Sequence, residues 1–384
     1  MNLLIYTPFC PSENSGGVEH VTYFLANSLK RKGWHVLLLY SLGEFKECGV
    51  ECVKISKVDK LSFIKKIISD YKIDIVLVQG STSLIDIFSS AVSNHVKLIY
   101  AHHGDPGFGY RTLNLDTTFF FLKYGNIRLK INSLIKLLLF PFLKIKKFNT
   151  LRRLYEKIYS SVNTIVLLSE NSVQSFEFYL GHSTNGKIAC INNPLSYNVI
   201  ECRNDLSLKN KQVLFVGRLE EFTKKISLAL KAWEMVMNDE SLRDWKFTIV
   251  GDGQDRASLE KFVKHRNIIN VEFMGFSSPT KYYEDSSVFL MTSVSEGWGL
   301  TLTESMQHGC VPIAFDSYSS VRDIITDGRN GLLIEYPNVS LFAKKLSDIM
   351  KSDKERITMA QNAILDMQKF SNEAIVDKWV NLLS

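Results

Sequence analysis

Two carboxylates around a glycine-rich turn carry the clearest chemical signal in this chain. The segment contains, in order, Glu296, Gly297, Trp298, Gly299, Leu300 and, further on, Glu304. The pattern predicts a helix from Leu300 to His308, and the free N–H groups at a helix start favour anions. Glycine lets a ligand approach the backbone closely. Amides for a diphosphate beside acceptors for hydroxyls suit a nucleotide-sugar; a capped core helix with two incidental glutamates is the alternative.

Two cations follow a predicted strand earlier in the same half of the chain. Arg218 comes directly after the strand Gln212–Val216 and its glycine, and Lys224 and Lys225 follow in the next loop. Arginine can bind a diphosphate through two hydrogen bonds, and lysine can act as a point charge. The register of the following helix favours Lys224. Surface cations without a ligand are the alternative.

A second glycine turn, Gly251-Asp-Gly253, follows the predicted strand Lys246–Val250. Turns of this kind are common, so the signal is weak by itself. The position that would hold the third glycine of a dinucleotide-binding fingerprint is occupied by Arg256. An NAD-dependent enzyme is therefore disfavoured.

Two polar turns in the first half could also meet a ligand. Gly16 and Gly17 precede the first predicted helix, so their amides can face phosphates or an acceptor. His102 and His103 follow the predicted strand Lys97–Ala101 and project from its carboxyl end. A flexible turn and a structural histidine are the respective alternatives.

The segment from Met291 to Phe315 resembles the signature of the family 4 retaining glycosyltransferases, which have the GT-B fold. The resemblance extends over nearly the whole chain. It is strongest from Val213 to Leu333 and weak between Phe119 and Tyr159. In that family two glutamates separated by seven residues bind the donor, which implies this role for Glu296 and Glu304.

The resemblance implies further contacts with the donor. It places Gly251 and Gly253 near the nucleotide, and Phe276 where the backbone of the family meets the base. One histidine assists the donor sugar; the following Asp-Pro favours His103, with His102 left open. The predicted donor-binding residues are Gly16, Gly17, Gly251, Gly253, Phe276, Gly297, Trp298, Gly299, Leu300 and Glu304. The predicted catalytic residues are His103, Glu296, Arg218 and Lys224.

No residue pair stands out as a covalent nucleophile with its acid. Retaining transferases of this type are usually described by a front-face reaction, in which the leaving phosphate helps to deprotonate the incoming hydroxyl. The protein then supplies orientation and charge stabilisation. No Asp-x-Asp stands at a predicted strand end, so we expect neither a bound metal nor a cofactor. Arg218 and Lys224 would carry that charge.

The alternation of β-rich apolar runs with helical patterns predicts an α/β chain with parallel sheets. A length of 384 residues suits two domains. With the resemblance, we expect GT-B: two Rossmann-like domains that face each other across a cleft. The predicted boundaries are residues 1–195 for an N-terminal acceptor-side domain, 196–210 for a linker, 211–366 for a nucleotide-sugar-binding domain, and 367–384 for a helix that packs on the first domain.

A basic and apolar insertion, about residues 117–158, is expected within the first domain. No acidic residue occurs between Asp116 and Glu156, and the lysines and arginines there alternate with leucine and phenylalanine runs. The composition predicts contact with an anionic membrane surface through about residues 119–148. Leucine and phenylalanine runs disfavour nucleic acid as the partner. An ordinary helical insertion with solvated lysines is the alternative.

Composition adds limits to these expectations. An apolar content of 45% with 22% charged residues is that of a globular protein. The first residues lack the pattern of a signal peptide, and no apolar run has the length of a membrane span. The six cysteines are interpreted as scattered, reduced and mostly buried thiols without zinc spacing. They are Cys10, Cys48, Cys52, Cys190, Cys202 and Cys310.

Together these features predict a cytoplasmic enzyme, peripheral on the inner face of the cell membrane. It would transfer a hexose from a UDP-linked donor to a lipid-linked or polysaccharide acceptor in the assembly of bacterial lipopolysaccharide or capsule. Two alternatives remain: an inactive GT-B subunit that binds a partner or a glycan, and a UDP-sugar epimerase. The intact glutamates and cations disfavour the first. The second needs a carboxylate and histidine set that the sequence does not show.

Overall fold

The computed structural model describes residues 1–12, 16–56, 58–197 and 205–384. The chain forms two compact units. The first unit contains Met1–Pro106, Thr150–Pro194 and Asn372–Ser384, and the second contains Gly107–Asn149 and Leu195–Ser371.

The first unit is built on a seven-stranded parallel sheet. Its strands are β1 (Asn2–Phe9), β2 (His35–Leu42), β3 (Glu51–Lys54), β4 (Ile75–Gln79), β5 (Lys97–His102), β6 (Thr164–Leu167) and β7 (Ile188–Cys190), in the order β3-β2-β1-β4-β5-β6-β7. Its helices are α1 (Gly17–Arg31), α2 (Lys60–Asp70), α3 (Ile85–Ala91), α8 (Asn171–Leu180) and α17 (Asn372–Leu383). Every residue of β4 is buried, as expected for a parallel strand covered on both faces.

The second unit has a six-stranded parallel sheet. Its strands are β8 (Asn210–Val216), β9 (Lys246–Val250), β10 (Val271–Gly275), β11 (Ser286–Met291), β12 (Val311–Asp316) and β13 (Leu332–Glu335), in the order β10-β9-β8-β11-β12-β13. Its helices are α4 (Phe108–Arg111), α5 (Leu115–Tyr124), α6 (Ile127–Leu138), α9 (Glu221–Lys224), α10 (Ile226–Val236), α11 (Arg256–Arg266), α12 (Thr280–Asp285), α13 (Leu300–Gln307), α14 (Val321–Ile324), α15 (Val339–Lys351) and α16 (Asp353–Met367). Helix α7 (Phe140–Ser161) contributes residues to both units.

The predicted α/β class with two parallel sheets is confirmed. The strands that the sequence missed are the two edge strands of the first sheet, β3 and β7, which have four and three residues. So short a strand shows too little alternation to be recognised. The C-terminal helix α17 lies in the first unit as expected, with Ile375 and Trp379 buried in its core. The predicted linker at 196–210 falls partly outside the described residues.

The basic segment does not belong to the first unit, which corrects the predicted position of the insertion. Residues 107–149 form part of the second unit. Helix α5 packs there through Phe120 and Tyr124, whose rings lie 5.8 and 4.9 Å from the ring of Phe262. The buried Lys225 Nζ donates a hydrogen bond of 2.6 Å to Asn114 Oδ1. Sequence could not show this because the partners lie more than a hundred residues apart.

Candidate functional site

The central feature of the second unit is an ion pair at the point where its strand order reverses. Strands β8 and β11 are neighbours, and the sheet grows outward from them in opposite directions. Such a switch point is where open α/β sheets bind ligands, at the carboxyl ends of the strands. Lys224 follows β8 and Glu296 follows β11, and their Nζ and Oε1 atoms are 2.5 Å apart. The two side chains are only 17% and 15% exposed.

The two neighbouring lysines have different surroundings. The backbone around Lys224 is fixed to the loop after β11, because Thr292 Oγ1 donates to the Lys224 carbonyl at 2.9 Å and Val294 N–H donates to Thr223 O at 2.8 Å. Lys225 is buried, bonds Asn114 and Thr117, and has its pKa lowered to about 8 by that burial. The geometry therefore supports Lys224 as the site residue and gives Lys225 a structural role.

Helix α13 begins beside this pair without a side-chain cap. Its N-cap is Gly299, with φ of +97°, which glycine adopts without the steric cost of a Cβ. The turn before it is held by Ser320 Oγ, which donates to the carbonyls of Gly297 at 3.0 Å and Trp298 at 3.3 Å. The amides of Leu302 and Thr303 donate to Gly299 O, so Leu300 and Thr301 supply the N–H groups that can meet an anion.

The side chain of Trp298 takes part in packing, not in an open site. Its ring lies edge-on against Phe370 with a centroid distance of 5.0 Å, and it is buried. Its Nε1 has no hydrogen-bond partner among the described residues, and its contact with the donor remains a prediction. Tyr318 is a residue that sequence missed: a Cβ at Gly299 would lie 3.2 Å from its Oη. Among the described residues this buried Oη has no hydrogen-bond partner.

Glu304 lies on α13 with both carboxylate oxygens engaged. Ser196 Oγ donates to Oε1 at 2.7 Å, and Tyr283 Oη donates to Oε2 at 2.9 Å. Burial and the nearby carboxylate raise the pKa of Tyr283 well above its usual value. Each carboxylate oxygen can accept more than one hydrogen bond, so Glu304 keeps capacity for a ligand hydroxyl. No signal in the sequence pointed to its two protein partners.

Arg218 is placed differently from Lys224. Its side chain is 72% exposed, and Nη1 lies 3.0 Å from Glu220 Oε1. Since the guanidinium is open to solvent while Glu220 is 20% exposed, Arg218 can turn from the carboxylate towards a phosphate.

Gly251 and Gly253 have a packing reason that is independent of any ligand. A Cβ at Gly251 would lie 2.0 Å from Gly217 O, and one at Gly253 would lie 2.6 Å from Leu219 O. The loop after β9 thus packs backbone to backbone on the loop after β8. Phe276 follows β10 and is 92% exposed. Its proposed contact with a base remains a prediction.

In the first unit, the two histidines have separate environments. His102 Nδ1 lies 3.3 Å from Tyr100 Oη, and its ring packs edge-on to Tyr155 and Phe176. His103 Nε2 hydrogen-bonds Gln79 Oε1, which requires the proton on Nε2. The Nδ1 atom of His103 has no partner among the described residues. His102 Nε2 likewise has no partner among the described residues, so each histidine keeps one ring nitrogen for a ligand and the choice between them stays open.

Both histidines are neutral near pH 7. Burial lowers the pKa of His102 to about 4, and burial together with His102 lowers the pKa of His103 to about 3. A neutral imidazole can accept or donate a hydrogen bond but cannot offset a phosphate charge.

The predicted glycines of the first unit lie at the start of α1. Gly16 is the N-cap, Gly17 has φ of +61°, and the helix has no side-chain cap. A Cβ at either position would meet nothing within 4 Å. Residue 15 of the same turn lies outside the described residues. The turn is thus open to a ligand, and its donor contact remains a prediction.

The two histidines should make stability depend on pH. Replacing His102 with glutamine should flatten the fall in stability between pH 6.5 and 4.5. An unfolded histidine has a pKa of about 6.5, so between pH 6.5 and 4.5 the unfolded state binds more protons than the folded state. Each of the two histidines therefore lowers the free energy of unfolding by about 1.4 kcal/mol for each pH unit in this range. Urea unfolding at several pH values measures the slope. The exposed His95→Gln should keep the wild-type slope; an unchanged slope in His102→Gln would contradict the assignment.

A further surface of the second unit is apolar and exposed. Helix α6 buries only Ser133. Its apolar residues Ile127, Ile131, Leu134 and Leu138 recur at helical spacing and are all exposed. We call these four residues the α6 stripe. Of the aromatic residues expected on a membrane, Phe120, Phe121 and Tyr124 are instead buried in the core of the unit, which corrects that part of the prediction.

Comparison with known proteins confirms the resemblance stated from the sequence. The fold is the GT-B fold, and residues 200–366 match the family model described as Glycosyl transferases group 1. The structure of Anabaena Alr3699/HepE in complex with UDP and glucose superposes with a TM-score of 0.72, 13% identity, and coverage of 100% of this chain and 99% of that one.

Two curated relatives are similar in sequence. The chain is 33% identical over 178 residues to the amylovoran biosynthesis glycosyltransferase AmsD of Erwinia amylovora, which covers 46% of this chain and 49% of the relative. It is 27% identical over 380 residues to the GalNAc-alpha-(1->4)-GalNAc-alpha-(1->3)-diNAcBac-PP-undecaprenol alpha-1,4-N-acetyl-D-galactosaminyltransferase of Campylobacter jejuni, covering 97% of this chain and 96% of the relative. The chain thus spans about half of the first relative and nearly all of the second.

Proposed function

We propose that this protein is a retaining glycosyltransferase that moves a hexose from a UDP-sugar to a lipid-linked or polysaccharide acceptor in bacterial surface-glycan assembly. The observation that carries the proposal is the partly buried Lys224–Glu296 pair beside the uncapped start of α13. The lysine can meet the phosphate of a sugar phosphate and the glutamate can accept from its hydroxyls, and these two protein groups lie 2.5 Å apart.

Each group has a role in the transfer. Lys224 and the first amides of α13 offset the charge that grows on the diphosphate as the sugar leaves. Arg218, released from Glu220, adds a second cation. Glu296 and Glu304 accept hydrogen bonds from hydroxyls of the donor and orient it. The diphosphate oxygen then helps to remove the proton of the acceptor hydroxyl, and the new bond forms on the face that the diphosphate leaves.

The donor nucleotide and the acceptor class are supported by similar proteins. UDP is bound in the Anabaena structure. The name of the Campylobacter relative describes a glycan that is linked through a diphosphate to undecaprenol. That relative aligns with nearly the whole chain, including the basic segment. The proposed acceptor is therefore a glycan carried on a polyprenyl diphosphate.

A peripheral position on an anionic membrane fits the exposed surface of α6. An amphipathic helix normally buries its apolar residues, whereas the α6 stripe is exposed. Arg128, Lys136 and Lys146 are exposed in the same segment and can contact anionic head groups. None of the described helices is long and apolar enough to cross a membrane. The proposed mode of attachment is therefore an interfacial helix.

The enzyme should release UDP from a UDP-sugar when a polyprenyl diphosphate glycan is supplied. Panels of UDP-glucose, UDP-galactose, UDP-N-acetylglucosamine and UDP-N-acetylgalactosamine identify the donor, and NMR of the product should show an α-linkage. Because side chains and helix amides offset the phosphate charge, excess EDTA should leave the rate unchanged. Absence of UDP release with every donor contradicts the proposed activity. Loss of activity in EDTA with rescue by magnesium or manganese contradicts the metal-free mechanism.

A further inference from the structure

Three cysteines that are far apart in sequence lie together at one edge of the first unit. Cys10 follows β1, Cys48 lies in the loop before β3, and Cys52 is the second residue of β3. The Sγ atoms of Cys10 and Cys52 are 3.5 Å apart, and all three Sγ atoms lie within 4.8 Å of one another. The interpretation of scattered thiols without zinc spacing is therefore wrong for these three. The spacing Cys48-x-x-x-Cys52 is within the range of paired ligands in zinc sites and was the signal available.

The loop that carries Cys48 is fixed by helix α1. Asn27 Nδ2 donates to the Cys48 carbonyl at 3.0 Å, and Lys30 Nζ donates to Gly49 O at 2.6 Å. Gly49 has φ of +74°, and a Cβ there would lie 2.1 Å from Asn27 Oδ1. Only glycine permits this close approach. The backbone at Cys48 is thus held by contacts that do not involve the other two cysteines, and its thiol donates to Val50 O at 3.3 Å.

Backbone groups also hold the thiol of Cys10. The amide of Lys46 donates to Cys10 Sγ at 3.3 Å. Cys10 Sγ in turn donates to Lys46 O at 3.4 Å, so both backbone groups of Lys46 fix the position of this sulfur. Cys10 and Cys48 are buried, and Cys52 is half-buried, so a bound ion would be shielded from most of the solvent.

The dimensions of the cluster match a thiolate-bound metal. Zinc binds sulfur at about 2.3 Å, so two thiolates of one tetrahedral site lie about 3.8 Å apart. The separations within the cluster differ from this by a few tenths of an ångström to about one ångström. Side-chain rotation alone can close such a difference. Soft thiolate ligands without a carboxylate or histidine select zinc or copper(I) over magnesium or calcium.

We propose that Cys10, Cys48 and Cys52 form a three-thiolate zinc site that ties the end of β1 to the start of β3. Each thiol loses its proton to solvent as its sulfur–zinc bond forms, and the fourth position is left to water or another ligand. A depression of about 420 Å³ lined by Cys10, Glu19 and Glu44, among others, gives the ion a path from solvent. The site fixes the chain at Cys10, directly after β1. It is independent of the proposed transfer reaction.

Metal titration of the reduced protein tests this site. Wild type should bind one equivalent of zinc, and cobalt(II) as a probe should give a thiolate-to-cobalt charge-transfer band. Serine at any of the three positions removes a direct zinc ligand. The variants Cys10→Ser, Cys48→Ser and Cys52→Ser should therefore each weaken zinc binding by more than roughly 10–100-fold, the cost of losing a group that only orients a ligand. The matched control is Cys190→Ser on β7, outside the cluster, which should bind zinc like wild type. Zinc should raise the Tm of wild type and of the control only.

Several outcomes overturn the proposal. Wild type that takes up no zinc when reduced excludes the site, whatever the variants do. Equal binding by wild type and the three variants assigns the zinc to other groups. A Cys10–Cys52 disulfide in the purified protein, found by mass spectrometry with no cobalt band after reduction, makes the cluster a redox pair instead. None of these results bears on UDP release, so the zinc site and the proposed function can fail separately.

Discussion

Replacing Lys224 with methionine is expected to reduce turnover of the UDP-sugar by about 10²–10³-fold, the usual effect of removing one preorganised group that stabilises developing negative charge. Lys224 is the cation in contact with Glu296 at the reversal of strand order in the second unit. The Lys224 charge stabilises the diphosphate most strongly when the bond to the sugar breaks. We therefore expect kcat to fall by a larger factor than KM rises. Steady-state rates of UDP release measure both constants.

Two further variants separate catalysis from folding. Lys211→Met is the matched control, because Lys211 lies at the opposite end of the same strand in an exposed 2.5 Å pair with Asp244. It should leave kcat unchanged. Lys224→Met leaves Glu296 as an unpaired, partly buried charge, so Lys224→Met/Glu296→Gln should unfold at a higher temperature than the single variant and remain inactive. If Lys224→Met folds and turns over like wild type, the assigned site is wrong.

Replacing Ile131, Leu134 and Leu138 with serine should reduce binding to anionic liposomes at least tenfold. These residues belong to the α6 stripe. If the wild-type side chain inserts fully into the acyl region, replacing it removes roughly 1.5–3 kcal/mol from the free energy of membrane binding. Sedimentation with vesicles of phosphatidylglycerol and phosphatidylcholine measures the bound fraction. UDP release with a soluble acceptor analogue should change little, because the stripe contains none of the proposed donor-site residues.

A matched control removes the same amount of exposed apolar surface elsewhere in the unit. Leu208, Ile269 and Leu365 are exposed singly, and their serine variant should sediment like wild type. Arg128, Lys136 and Lys146 can be changed to glutamate to test the electrostatic part, which should be strongest at low salt. Lys144 is unsuitable, because its Nζ donates to Tyr110 O at 2.7 Å and supports the fold. Equal sedimentation of the stripe variant and wild type would refute the membrane contact.

Sequence patterns determined the elements and much of the site. Alternating short apolar runs and helical periods predicted both parallel sheets, because these patterns are local and repeat within a few residues. Glu296 and the turn to Leu300 were visible because a helix start with two glycines has a fixed spacing. The same local logic placed Arg218 after a strand. It could not show that Glu304 bonds Ser196 and Tyr283, which come from distant elements.

Tertiary structure alone decided which residues act together. Two adjacent lysines differ in role because one meets Glu296 at 2.5 Å and the other is buried against Asn114. The basic segment joined the second unit because α5 packs on Phe262, a contact between residues far apart in the chain. Three thiols met because the chain after β1 and the loop before β3 come together in the fold, where the amide of Lys46 donates to Cys10 Sγ across 36 positions. The local sequence determines the apolar periodicity of each helix and strand. Which distant segments pair depends instead on the apolar surface that is buried over the whole core.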